Sequence, residues 1–422
     1  MSMPVRGLAV VVVLCALSGC TAEGAPTDVA RPVEDVVVGL LAPLSGPDAA
    51  IGTEQRRGAE LAAEIVNDNH REIALPLAAG TGLPNLRGAR IRLSVADTTG
   101  TASGAETQLG RLVDDLRPVA VIGGDRDAVA AAASQRAERL SVPFLDAGSS
   151  AAYLTEVGLD WYFRTAPSDR ILSAAAFSLL ARQSAGTVAL VRPADGSHAD
   201  IVSAIRELAA ETDVQVAATV RVDAAGKSAA AAASKAVKVG PDAAVVIAGT
   251  RDAAVATVRE LRERKPKLPV IGLGQGFTDP EFVTKASGSG EGVLRPVAWS
   301  ADFAARNRAA GSVDELYQRR YGTPMTPVAA GAFTAVLALA AAADNAEATT
   351  PEAVRSALRA ADLPGGELIM PWVGVHFAEG GQNERAAGVV EQIVDGKAKV
   401  VHPTELATTE LIWPSSSSAK AG

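Results

Sequence analysis

Four histidines (His70, His198, His376, His402), two cysteines (Cys15, Cys20) and a spread of carboxylates are the side chains of this 422-residue chain suited to act as bases, nucleophiles or metal ligands. Serine-based acyl transfer needs a positioned base and, on many α/β folds, a serine in a G-x-S-x-G elbow. No serine has those neighbours, and the histidines are dispersed along the chain. Only His198 follows a strand-like run, where a solvated loop histidine is the plain reading. The glycines of Gly272-Leu273-Gly274-Gln275-Gly276 also follow such a run. They lack the third glycine of a dinucleotide fingerprint at the right spacing and the Lys-Ser/Thr of a phosphate loop, so no nucleotide cofactor is expected. Both cysteines fall within the first 20 residues, which leaves the rest of the chain without a disulfide framework or a Cys-based metal site. Carboxylate pairs such as Asp114-Asp115 read as solvated charge on a polar helix face. Neither a catalytic centre nor a cofactor is predicted.

Short apolar runs rich in β-branched residues occupy 36–41, 91–96, 119–122, 142–145, 187–191, 243–248 and 270–273. Ala-rich segments of helical period alternate with them at 54–68, 107–116, 128–140, 170–183, 199–211 and 253–264. Strand, helix, strand repeated in this way predicts an α/β fold of doubly wound parallel sheets with helices on both faces. Such sheets bind ligands at the carboxyl ends of their strands. The segments there are short, Gly-rich and polar, which suits a cleft of backbone amides and hydroxyls. The small apolar stretch 329–343, followed by Asp344, reads as a buried helix rather than a membrane span. The segment 69–87 reads as a long surface loop. The length implies two or three domains, and 48% hydrophobic with 21% charged residues excludes wholesale disorder. A formal charge of −8 argues against a nucleic-acid partner.

The N-terminus carries its own signal. A weakly basic start, with Arg6, precedes an apolar run over 7–17 that is too short to span a bilayer. It ends in Leu17-Ser18-Gly19-Cys20, which looks like a bacterial lipoprotein box. Residues 1–19 are expected to leave as a signal peptide, and Cys20 to carry the lipid. Residues 20–35 are then a tether, and the protein is held on the extracytoplasmic face of the cell membrane by its lipid alone.

Val38-Gly39-Leu40-Leu41-Ala42-Pro43-Leu44-Ser45-Gly46-Pro47, with Ile51-Gly52 and Gly58-Ala59-Glu60-Leu61-Ala62, resembles the opening of type I periplasmic binding proteins of the Leu/Ile/Val-binding family. The likeness continues through Val121-Ile122-Gly123-Gly124, Ala147-Gly148-Ser149-Ser150, and Tyr162 to Asp169 as a first hinge segment. It extends to Gly290-Glu291-Gly292-Val293, Tyr317 to Gly322, and Val373 to Phe377 with Gly380-Gly381-Gln382. The resemblance implies two doubly wound lobes joined by a three-segment hinge that close on a ligand. Carried over, lobe 1 takes 36–167 and 296–368, lobe 2 takes 168–295 and 369–410, and 411–422 is a disordered tail. It also implies a non-enzymatic solute-binding protein of an ABC importer, with a small solute and permease subunits as partners. The alternative is a sensing or scaffold lipoprotein of the same fold.

In amino-acid-binding members, lobe 1 hydroxyls and amides hold the ligand carboxylate, and a lobe 2 acid holds the ammonium. Gly148, Ser149 and Ser150 match the hydroxyl and amide positions. Elsewhere the sequence departs: Asp127 stands where the family has a serine, Ile51 and Ser197 where it has aromatics, Thr250 or Arg251 at a further aromatic, and Gln275 at the ammonium-binding acid. Two readings are open. In one, the cleft binds a different polar solute, such as a related amide or carboxylate, with Asp127 accepting, Arg251 facing an anionic group and Gln275 making neutral hydrogen bonds. In the other, Asp127 pairs with Arg126, Arg251 or solvent outside the cleft, and binding has weakened.

Overall fold

The computed structural model describes residues 34–414, Asp125 excepted. The expected signal peptide, lipid-bearing Cys20 and nearly all of the tether lie outside these residues, as do 415–422 of the tail.

The first sheet has five parallel strands, β1 (Val36–Ala42), β2 (Ile91–Asp97), β3 (Ala120–Gly123), β4 (Phe144–Asp146) and β5 (Tyr162–Arg164), in the order β2-β1-β3-β4-β5. Next come β6 (Thr187–Pro193), β7 (Gln215–Val222), β8 (Ala243–Ile247), β9 (Val270–Leu273) and β10 (Leu294–Val297). A two-residue pair follows, β11 (Leu363–Pro364) with β12 (Gly374–Val375), and then β13 (Val389–Val394) and β14 (Lys397–His402). The second sheet runs β14-β13-β10-β9-β8-β6-β7. Its β7-β6-β8-β9-β10 portion repeats the order of the first sheet, so the chain contains the same winding twice. The expected parallel winding runs through the first sheet and through β7-β6-β8-β9-β10 of the second, to which β13 adds an edge antiparallel to both β10 and β14. Strands β1, β3 and β8 are buried along almost their whole length, and apolar residues therefore run continuously through them instead of alternating.

Helices connect these strands: α1 (Ala49–Asn67), α2 (Ala102–Leu116), α3 (Asp127–Leu140), α4 (Asp169–Arg182), α5 (Ala199–Glu211), α6 (Ala229–Lys238) and α7 (Arg251–Arg264). Side-chain oxygens start several of them. Thr101 accepts from the Gly104 amide, Ser168 from Ile171 and Thr250 from Ala253. Two later helices, Pro327–Ala346 and Pro351–Arg359, add a threonine cap to proline at the first helical position, where no amide is needed. The first of these has a mean hydropathy of 1.6 and the length of a membrane span, but 83% of its apolar window is buried against the first sheet's elements, so it is a core helix. Its contact with α1 is close because Gly58 has no side chain. A Cβ there would lie 2.0 Å from the Ala329 carbonyl oxygen.

The segment expected as a surface loop, 69–87, instead inserts Ile73, Leu75, Ala78 and Leu83 into the first lobe's core. The Asn85 amide is held by Asp344 Oδ1 at 2.8 Å. The C-terminal end is tied down as far as Trp413: Ile412 exchanges backbone bonds with the Gln392 side chain at 2.8 and 2.9 Å, and Leu411 and Trp413 pack on the second sheet's core.

Candidate ligand-binding site

Each sheet reverses its winding once, between β1 and β3 and between β6 and β8. Open α/β sheets bind ligands beyond the strand ends at such points. A cleft of about 490 Å³ lies there, lined by loops after β3 and β4 from one lobe and after β6 and β9 from the other. That volume suits a small molecule.

The loop after β4 is built on Asp146, which is fully buried. Its Oδ1 accepts from the Gly148 and Ser149 amides at 3.1 and 2.9 Å. Its Oδ2 accepts from the Ser149 hydroxyl and, at 2.8 Å, from Tyr162. Burial and the Asp146 carboxylate together push the Tyr162 phenol far above its ordinary range. Gly124 faces this carboxylate at φ +88, where a Cβ would meet Asp146 Oδ1 at 2.0 Å. Next in the loop, the Ser150 and Ala151 amides both donate to Asp127 Oδ1, at 3.0 and 3.1 Å. Buried Arg164 fixes the same stretch by donating to the Ala151 carbonyl at 2.6 Å and to Gln382 Oε1 at 2.8 Å.

Of the residues singled out in the sequence, Ile51, Asp127, Gly148, Ser149, Ser150, Ser197 and Gln275 line the cleft. Thr250 and Arg251 are not among its lining residues: Thr250 caps α7 and donates to the Ala224 carbonyl, and Arg251 is paired with Glu281 beside Asp279. Arg251 therefore lies outside this cleft's lining. Asp127 does not turn away from the cleft: it is among the lining residues and accepts from the Ser150 and Ala151 amides. The serine hydroxyl expected to face the ligand belongs to Asp146.

Several lining residues escaped the sequence reading. Asp169 and Asp200 lie in the first turns of α4 and α5, and Gln55 and Ser173 within α1 and α4; His198, read from the sequence as a solvated loop histidine, precedes α5 and lines the cleft. Trp372 lines the cleft too, its indole donating to the Ala298 carbonyl at 3.2 Å, so the cleft does have one aromatic wall. Burial drives the Asp169 carboxyl up to about 6; the Asp127 and Asp200 charges add to this, and hydrogen bonding to Ser150 and the charge of Arg164 oppose it. Burial also lowers the His198 imidazole below its ordinary value, against the pull of Asp195 and Asp127. Arg126 chelates Asp48, with Nε at 2.6 Å from Oδ2, and holds that carboxyl low. Among the described residues no His, Cys, Asp or Glu cluster could hold a metal ion.

The chain matches the periplasmic binding protein family over residues 35–398. It belongs to the periplasmic binding protein family. Among relatives of this family, it is 26% identical over 396 residues to the Leu/Ile/Val-binding protein homolog 8 of Brucella abortus, covering 89% of this chain and 93% of the relative. It is 25% identical over 398 residues to homolog 7 of the same organism, covering 90% and 94%. Among solved structures, a putative branched-chain amino acid ABC transporter from Silicibacter pomeroyi shares the fold with a TM-score of 0.76 at 19% identity, over 90% of this chain and all of that one. An ABC transporter substrate-binding protein from Desulfitobacterium hafniense in complex with Leu gives 0.69 at 20% identity, over 87% and all of that chain. The two-lobed α/β architecture of periplasmic binding proteins is thus this chain's architecture.

Proposed function

We propose that this chain is the solute-binding component of an ABC importer of the branched-chain amino acid type. It captures a small polar solute between its lobes and presents the closed form to permease subunits, catalysing no reaction. One observation carries the reading: in a chain of this family, the loops of two identically wound sheets converge on one cleft, with polar groups from both sides. The names of the relatives support transport as its setting. The lobes take the boundaries given above, except that we put the third crossing at 383–388. Asn383 is bound to Arg164 and Thr165 of the first crossing, whereas Val389 already belongs to the second sheet.

Thermal unfolding against a panel of amino acids, amides, amines and small carboxylates tests the reading. A solute at one hundred times its Kd stabilises the native state by about 2.7 kcal/mol. Silence across the panel, with no closure in small-angle scattering, counts against it.

The membrane attachment rests on Cys20 alone. Cys20→Ala is expected to move the protein from the membrane fraction to the soluble fraction, with its melting temperature unchanged. Retention in the membrane would refute a lipid anchor at that residue.

A further inference from the structure

Three of the side chains lining the cleft are carboxylates. Asp127, Asp169 and Asp200 sit in the first turns of α3, α4 and α5, three helices that begin at the cleft. Arg126 is the one formal cation among the described lining residues, and Asp48 matches its charge. His198 is held toward its neutral form.

Two deeply buried side chains add unmet capacity. Gln55, 3% exposed, donates through Nε2 to the Gly124 carbonyl at 3.2 Å. That bond assigns Oε1 as the other end, and Oε1 has no partner among the described residues. Ser173, 1% exposed, likewise has an unpartnered hydroxyl. A buried acceptor without a donor is destabilising, and a ligand that brings the donor relieves it.

The donors of the loop after β4 are already engaged. The Ser150 and Ala151 amides, which an anionic ligand would need, already hold Asp127. The Gly148 and Ser149 amides and the Ser149 hydroxyl hold Asp146. Asp127 thus sits where the resemblance would seat a ligand carboxylate. A zwitterion would have to displace it or lie beside it.

We propose that the cleft takes a small alkyl diamine without a carboxylate, its ammonium groups facing Asp127, Asp169 and Asp200 and its chain against Leu172, Ile201 and Trp372. The inference rests on the solute-binding reading and names its substrate class. A dication places one ammonium group within reach of more than one of these three carboxylates. The apolar lining suits an alkyl chain and gives little to a heavily hydroxylated solute.

Calorimetric titration of the full chain at pH 7.5 with 1,4-diaminobutane, ornithine and leucine tests this. Ornithine differs from the diamine chiefly by its carboxylate. The diamine is expected to bind saturably and at least about 10-fold more tightly than ornithine, with leucine weaker still. Asp200→Asn is expected to weaken the diamine about 10-fold or more, and Asp200→Glu to retain most of the affinity. Asp127→Ser frees the two loop amides and should bring leucine binding up at least about 10-fold while weakening the diamine. Circular dichroism establishes that each variant is folded. Ornithine or leucine binding the native chain as tightly as the diamine overturns the proposal, as does an Asp200→Asn variant with undiminished diamine affinity. Leucine binding with lobe closure would leave the solute-binding reading standing while this inference falls. Failure of every solute, neutral and anionic ones included, would remove both.

Discussion

Asp146→Ala is expected to destabilise the protein by about 3–5 kcal/mol and to abolish solute binding. The wild-type carboxylate accepts from two amides, a hydroxyl and a phenol at a site with no solvent exposure. Truncation leaves those four donors facing a small apolar void. Each orphaned buried donor costs on the order of 1–3 kcal/mol, discounted because the loop relaxes and admits water. The loop they shape also presents Ser150 and Ala151 to Asp127, so the ligand side of lobe 1 would lose its form. Asp146→Asn separates these effects. Its carbonyl still accepts two bonds, and the serine and tyrosine hydroxyls can turn to accept from its amide group, so about 1–2 kcal/mol is expected. Urea unfolding measures both variants. Equal stability of Asp146→Ala and the wild type would mean that the carboxylate does not organise the loop.

The sequence announced the architecture wherever a buried strand was apolar throughout; β13, buried almost throughout, hides this with Glu391 and Gln392 in its middle. Strands such as β8, sealed on both faces, appear as unbroken apolar runs, and the helices after them appear by their period. The missed strands each lack that signature. Edge strand β7 alternates, with Gln215, Thr219 and Arg221 exposed. β10 is four residues long and contains Pro296. The β13–β14 hairpin did carry a readable signal: Asp395-Gly396 between apolar runs, both at positive φ, as a two-residue I′ turn requires.

At the site, position was legible and partnership was not. Asp127 could be marked as anomalous after β3, but the amides it holds come from 23 and 24 residues further on, across another strand. Whether an acid is a ligand group or a loop clamp depends on that tertiary contact. Asp127 is marked by its departure from the family's serine; Asp169 and Asp200 could have been marked by a different sign, an acid in the first helical turn after a hinge or strand end. Gln55 could not, because nothing in a helix interior signals that one end of an amide lacks a partner.

Asp169→Asn is expected to stabilise the empty protein at neutral pH while weakening capture of a cation. The native carboxyl keeps its proton up to about pH 6, whereas the unfolded one releases it near 3.8. Between those values the native state binds more protons, so this residue's stabilising contribution is complete below the unfolded value and is lost as pH rises through 6. The full gap corresponds to at most about 3 kcal/mol, and about 1–2 kcal/mol after allowance for the water that reaches this half-buried side chain. An asparagine has no charge to desolvate, so the variant should melt higher than wild type at pH 7.5 and match it near pH 4. Binding runs the other way. A cation in the cleft favours the ionised form, so wild-type affinity should fall as pH drops below 6. Protonation of His198, which its burial resists and the Asp195 and Asp127 charges favour, would add to that fall, while the charges of Arg126 and Arg164 stay unchanged. Melting curves and diamine titrations at pH 4.5, 6 and 7.5 read both quantities. A variant no more stable than wild type at pH 7.5, with unaltered diamine affinity, would mean that the Asp169 charge is neither strained by its burial nor used by the ligand.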